Sequence, residues 1–298
     1  MNLRQMEVFR AVMMTGGVSG AAELLHVSQP AVSKVLAQAQ RQFTFPLFAR
    51  VKGRLVATPE AHTLYAEIDA LWRGVDRVRD VSRELSSPRS ASLRLAVSAS
   101  AAPYLVPRTV ALLAERYPDL RIRTEILVGP ILVDALLDRS ADIGVALMPN
   151  DHPNLVRVRN YHCGFVCVLP SGHRLAHKPS VAAADLVGER VVGSPPDTPY
   201  GQALMRTYGR VASSLQVHFH VRSAISACWQ VQAGSCIAVV DQAAVSGPTL
   251  PGLVIRPFRT RERMPLSLVH NRYRPLSLAH EAFCDEFDVV WREEMRAI

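Results

Sequence analysis

Residues 21–34 read AAELLHVSQPAVSK, and this stretch decides how the N-terminal part of the chain folds. Ala21, Ala22, Leu24 and Leu25 form the apolar side of a short helix that follows Ser19. After the His26-Val27 turn a new helix starts. Ser28 stands at its N-cap, Pro30 sits in the first turn where a missing N–H costs nothing, and Val27 can pack on Val32 as a hydrophobic staple. Upstream, Met6, Phe9, Val12 and Met13 fall on one face of a helix over 3–14, which Gly16-Gly17 ends. Two short helices joined by a tight turn, the second opening with small polar residues, predict a helix-turn-helix. Its second helix fits a major groove about 12 Å wide. Gln29 suits adenine, Ser33 suits either base partner, and Lys34 suits guanine or phosphate.

The charge distribution agrees. The 298 residues carry a net charge of +8. Between Met1 and Thr58 there are seven basic residues (Arg4, Arg10, Lys34, Arg41, Arg50, Lys52, Arg54) and two acidic ones, while the remaining 240 residues are left with +3. No acid occurs between Glu23 and Glu60. A one-signed segment of this kind attracts a polyanion, so double-stranded DNA is the expected partner.

The run AAELLHVSQPAVSK, followed by PLFAR (46–50) and GRLVATPEA (53–61), resembles the winged helix-turn-helix of LysR-type transcriptional regulators, and the resemblance extends along the whole chain. It implies a recognition helix that begins at Ser28, Gln29 and Pro30 and continues through Ala31, Ser33 and Lys34. It also implies a wing at Arg50, Lys52 and Arg54 beside the phosphate backbone. Where the family usually has Leu-Glu and Leu-Gly before PLF, this chain has Ala39-Gln40 and Phe43-Thr44. Family members are usually dimers of dimers, act on transcription as activators among other roles, and meet RNA polymerase as a further partner.

Thr58-Pro59-Glu60 opens a longer helix, with a cap, a proline at the first position and an acid in the first turn. Leu64, Ile68, Leu71, Val75, Val78, Ser82 and Leu85 alternate spacings of four and three, which is a heptad seam. Such a seam pairs with a second copy or packs on its own domain. A helix joining two domains has little core of its own to cover, so dimerisation through Leu64, Ile68, Leu71, Val75, Val78 and Leu85 is expected. The Ser86–Ser90 stretch, SSPRS, ends the helix.

From Leu93 short apolar strands alternate with helices, which predicts parallel α/β sheets. One set runs LRLAV, a helix over 106–117, RIRTEIL, a helix over 131–138 and DIGVAL. A second begins near Gly164 and ends with CIAVVD, and LSLVH with the last helix returns to the first. The expected architecture is therefore α+β and multidomain: a winged helix-turn-helix (1–58), a linker helix (59–90) and a two-lobed α/β effector domain (91–298). Lobe I takes 91–163 and 266–298, and lobe II takes 164–265. The effector domain resembles the periplasmic-binding-protein-like domain of the same family.

Ligands in such sheets bind at the carboxyl ends of strands. Ser98, Ala99 and Ser100 follow the first strand, Thr198 precedes a helix, and Asp241 ends CIAVVD. Each has a plainer reading too: turn residues for the serines, helix caps for Thr198 and Asp241. Hydroxyls beside a helix N-terminus suit a carboxylate, and an acid suits a cation. Many family members have proline at the Asp241 position, and an acid there implies kinship with members that respond to diaminopimelate, basic amino acids or opines. A small-molecule effector of that class is expected.

An apolar fraction of 49% with 20% charged residues is that of a packed protein. No apolar run reaches the roughly 18 residues of a membrane span, and MNLRQMEVFR lacks a signal-peptide core, so the expected location is the cytoplasm. Cys163, Cys167, Cys228, Cys236 and Cys284 are an odd count that reads as reduced thiols. Cys163 and Cys167 on one strand would share a face, and His218 and His220 alternate similarly, yet neither pair has zinc-site spacing around it. No GxSxG, HExxH, Walker or GxGxxG motif occurs, so neither an enzyme nor a cofactor is expected. The competing classes are a solute-binding receptor and an enzyme using Ser98 or His220 in the cleft. Salt-dependent duplex binding separates them from a regulator.

Overall fold

The computed structural model describes residues 1–298 except 52–53, 87–91, 148–150, 235, 249 and 297–298. The chain divides into two units, Met1–Arg83 and Glu84–Ile298.

In the first unit, α1 (Leu3–Thr15), α2 (Val18–Leu24) and α3 (Gln29–Gln40) are followed by β1 (Phe48–Val51), β2 (Arg54–Ala57) and most of α4 (Pro59–Ser86), whose last three residues fall in the second. Asn2 and Gln5 close a reciprocal capping box at the start of α1, each backbone N–H donating to the other's side chain at 2.9 Å. Gly16 ends α1 with φ +74°, a conformation glycine adopts without strain. Val8, Val12, Ala21, Ala22 and Val32 fuse the three helices into one small core. β1 and β2 pair antiparallel from Phe48 opposite Ala57 to Val51 opposite Arg54, forming the hairpin expected of a wing. Thr58 caps α4 through Ala61 N–H at 3.2 Å.

The second unit holds β3 (Ser92–Val97), α5 (Leu105–Arg116), β4 (Arg121–Ile126), α6 (Pro130–Leu137), β5 (Ile143–Leu147), β6 (Leu155–Cys163) and β7 (Phe165–Pro170). It continues with β8 (Val181–Ala182), β9 (Arg190–Gly193), α7 (Pro199–Tyr208), β10 (Gln216–His220), α8 (Ala224–Gln232), β11 (Ile237–Asp241), β12 (Leu253–Arg259), β13 (Met264–Asn271) and α9 (Leu278–Arg296). Two sheets form, ordered β4-β3-β5-β13-β6 and β10-β9-β11-β7-β12-β8. Each carries one lobe.

The sheets are mixed, which corrects the purely parallel expectation. β13 runs antiparallel to β5 and β6, and β7 runs antiparallel to β11 and β12. The cause is how the chain changes lobes. β6 leaves the first sheet for β7 across Gly164 alone, and β12 brings the chain back to β13 across four residues, so in each sheet the strand that carries the chain out and the one that carries it in are neighbours of opposite sense. This also splits the two cysteines: Cys163 ends β6 in one sheet and Cys167 lies in β7 of the other. All five cysteines are free and buried, and burial pushes the thiols of Cys163, Cys167 and Cys228 up to about 12, which leaves them unreactive.

Candidate nucleic-acid interface and effector cleft

The face of α3 that looks away from the core is built from small and polar side chains. Val32 and Ala39 are buried, while Ser28, Gln29, Pro30, Ala31, Ser33 and Lys34 are all exposed. Ala37 and Gln38 extend the same face by one turn. The i+4 spacing from Lys34 to Gln38 is the sequence signal for this extension beyond the expected residues. Ser28 occupies the N-cap position as expected, but its side chain makes no capping bond. Its hydroxyl is therefore uncommitted to the helix. Gln40 does structural work instead: its Nε2 donates to the Phe45 carbonyl at 2.7 Å and its Oε1 accepts from Leu47 N–H at 2.6 Å. That clamp fixes the turn leading into β1, at the point where the sequence leaves the family pattern. Arg50 is exposed on β1. Lys52 and the side chain of Arg54 lie outside the described residues.

The heptad reading of α4 needs correction at its N-terminal half. Ile68 is 4% exposed and packs with Phe9, Leu47, Ala61 and Trp72, with Leu64 beside them. These two seam positions belong to the unit's own core because three short helices leave Phe9 and Leu47 uncovered without them. Leu71 is 48% and Val78 68% exposed, with Val75 half-buried between. The side chain of Leu85 lies outside the described residues.

In the second unit, the carboxyl ends of β3, β9 and β11 bring the five expected positions into one region, but not as free ligand groups. Ser98 Oγ donates to the Val145 carbonyl at 2.5 Å and accepts from Leu147 N–H at 2.7 Å, bracing β3 against β5. Thr198 caps α7 through Gly201 N–H at 3.0 Å and donates to the Pro195 carbonyl at 2.7 Å. Ala99 is partly exposed.

Asp241 departs furthest from expectation. Of its two expected roles, the cap is the one seen: Asp241 is excluded from solvent entirely (0% exposed) and is no open carboxylate for a ligand cation. Ser100 Oγ donates to its Oδ2 at 2.8 Å, Tyr200 OH donates to the same oxygen at 2.9 Å, and Ala244 N–H donates to Oδ1 at 3.1 Å. Tyr200 OH also accepts the backbone N–H of Asp241 at 3.0 Å. Burial holds the carboxyl above its ordinary range, although these three donors pull it back. Three of its roughly four acceptor sites are taken, and full burial keeps a ligand ammonium from reaching the fourth. Tyr200 was not singled out from sequence, since an aromatic in a first helical turn carries no pattern that points across to another strand.

His218 and His220 are exposed on β10, and among the described residues no cluster of three metal-ligating side chains occurs. No described helix is long and apolar enough to cross a membrane.

Residues 86–291 match the LysR substrate binding domain, and residues 3–62 match the bacterial regulatory helix-turn-helix protein, lysR family. The transcriptional activator protein LysR of Escherichia coli (strain K12) is 31% identical over 282 residues, covering 95% of this chain and 91% of that protein. The octopine catabolism/uptake operon regulatory protein OccR of Rhizobium meliloti is 30% identical over 261 residues, covering 87% and 85%. In fold, full-length CbnR in its complex with target DNA superposes with a TM-score of 0.76 at 18% identity, over 97% of this chain and 100% of that one. The exposed small-residue helix, the hairpin beside it and the two-lobed second unit are thus the parts of a regulator rather than an enzyme, and the chain belongs to the LysR family of transcriptional regulators.

Proposed function

We propose that this regulator reads operator bases with Gln29, Ser33 and Lys34, that Ser28, Pro30 and Ala31 allow the close approach of α3 to the groove, and that Arg50, Lys52 and Arg54 hold phosphates. The observation that carries this reading is the uninterrupted exposed face of α3 above a buried Val32. The functional division falls near residues 58 and 90, with α4 as the dimerising linker through Leu71, Val75 and Val78. The working species is a dimer of dimers in the cytoplasm, acting on RNA polymerase as an activator.

The effector is a small molecule, an amino acid or opine, held between the lobes near Ala99 and the first turn of α7. The likeness to OccR, named for an octopine operon, and to the activator LysR supports that class. Asp241 and Ser100 act there by holding the lobes in register, not by touching the ligand's charge. Fluorescence anisotropy with duplexes from the chain's own promoter region, titrated with salt and then with octopine, lysine and arginine, tests the reading. Sequence-specific, salt-sensitive binding shifted by one of these ligands supports it; equal binding to scrambled duplexes overturns it.

A further inference from the structure

Beneath α8, on the β7 and β12 side of the second sheet, lies a cavity of about 380 Å³. Ile225 and Trp229 of α8 and Val168 and Leu253 of the sheet form its walls, and Pro103 and Tyr104 reach it from the other lobe at the start of α5. Ser98, Ser100 and Thr198 are not among its lining residues. Its size falls in the range of pockets that enclose small ligands and far above the voids left by native packing. Among the described residues no charged side chain lines it. An ion entering it would give up its hydration without a counter-charge. Two aromatic side chains, Tyr104 and Trp229, border it, and the Tyr104 hydroxyl has no partner among the described residues.

The wall on the lobe boundary is coupled to both lobes. Gly247 has φ +83°, and a Cβ there would stand 2.3 Å from the ring of Tyr104, so only glycine lets the ring lie against this turn. Gly247 N–H donates to Glu294 of α9 at 3.1 Å. Ala244, which lines the cavity, donates its N–H to Asp241, the carboxyl that Ser100 reaches from the other lobe.

We propose that this cavity is a second effector site, taking a neutral, flat, largely apolar molecule with one hydrogen-bonding group. Its occupancy steadies the turn that carries the Ser100–Asp241 bond. The proposal adds a ligand to the regulator described above, and binding is read without DNA, so failure here is distinct from failure of operator recognition.

Indole is the probe, with benzoate and arginine as charged controls, in calorimetry on the full chain. Indole is expected to bind with a Kd of about 1 mM or tighter, and benzoate at least about tenfold more weakly. Ile225→Trp, which fills the cavity, should weaken indole by about tenfold or more. Tyr104→Phe, which keeps the fold and removes the hydroxyl, should weaken it by about fivefold. Neither change should alter duplex affinity. Indole binding no better than benzoate, or unchanged in both variants, overturns the proposal. So does a loss of oligomer in Trp229→Asp, which would assign the cavity to a second copy of the chain.

Discussion

The hydroxyl of Ser100, just after the first strand of one lobe, donates at 2.8 Å to the carboxylate of Asp241, which ends a strand of the other. The Tyr200 hydroxyl meets the same oxygen at 2.9 Å. A fully buried acid thus ties the two sheets together. Removing one member leaves others buried without partners, and such groups cost more than the bond itself contributes.

Asp241→Leu should therefore destabilise the effector domain by about 1–3 kcal/mol, and Ser100→Ala by less. Because burial raises the Asp241 carboxyl above its ordinary 3.8, its contribution is fully present below that value and is lost as pH rises through the raised one. Asp241→Asn should remove this slope. Denaturant titrations of both proteins across pH 3–8 check it; parallel curves would refute the buried-acid account.

Asp142 predicts the opposite sign. It is buried at the start of β5, and burial alone would raise it, but His280, Arg94 and Arg274 outweigh that and hold it well below the usual carboxylate range. Arg94 meets it at 2.9 Å and Arg274 closes from the other side. Its stabilisation is present above the ordinary 3.8 and lost as pH falls below it. Asp142→Asn should cost about 3–5 kcal/mol at neutral pH, shrinking in acid. Thermal melts at pH 7 and pH 3 measure the difference.

Along α4 the two halves of the seam should respond differently. Leu71→Asp and Val78→Asp, at exposed positions, should dissociate the oligomer while leaving each unit folded. Ile68→Asp buries a charge among Phe9, Leu47 and Trp72, and should unfold the DNA-binding unit at a cost of about 3 kcal/mol or more. Sedimentation and circular dichroism of the three variants separate these outcomes.

On α3, Gln29→Ala and Ser33→Ala should each reduce discrimination between matched and scrambled sites by about 1–3 kcal/mol. Arg50→Ala should weaken all duplexes alike and lower the salt slope by about one unit. Ser28→Ala should leave stability within about 0.5 kcal/mol, since no capping bond is lost. Thr58→Ala, which loses one, should cost about 1 kcal/mol. Anisotropy at several salt concentrations, paired with thermal melts, tests all four.

The sequence by itself determined the helix-turn-helix, the positions of its helices and the alternation of strands and helices in the second unit. These follow from local rules: Gly16 stops α1, Thr58 and Pro59 start α4, and apolar residues recur at helical or strand spacing. Local rules also placed Ser98, Thr198 and Asp241 at the ends of strands and starts of helices. What they left open is where each side chain spends its bonding capacity. Ser98 braces β3 against β5 across 47 residues of chain, and Asp241 is enclosed by Ser100, 141 residues away, and Tyr200, 41 residues away. A hydroxyl or carboxylate looks the same in sequence whether it faces a ligand or a buried partner. Likewise Leu64, Ile68, Leu71 and Val78 share one heptad seam, and only the placement of Phe9 and Leu47 assigns the first two to the unit's own core. Burial and pairing depend on contacts far apart in the chain, and tertiary packing alone decides them.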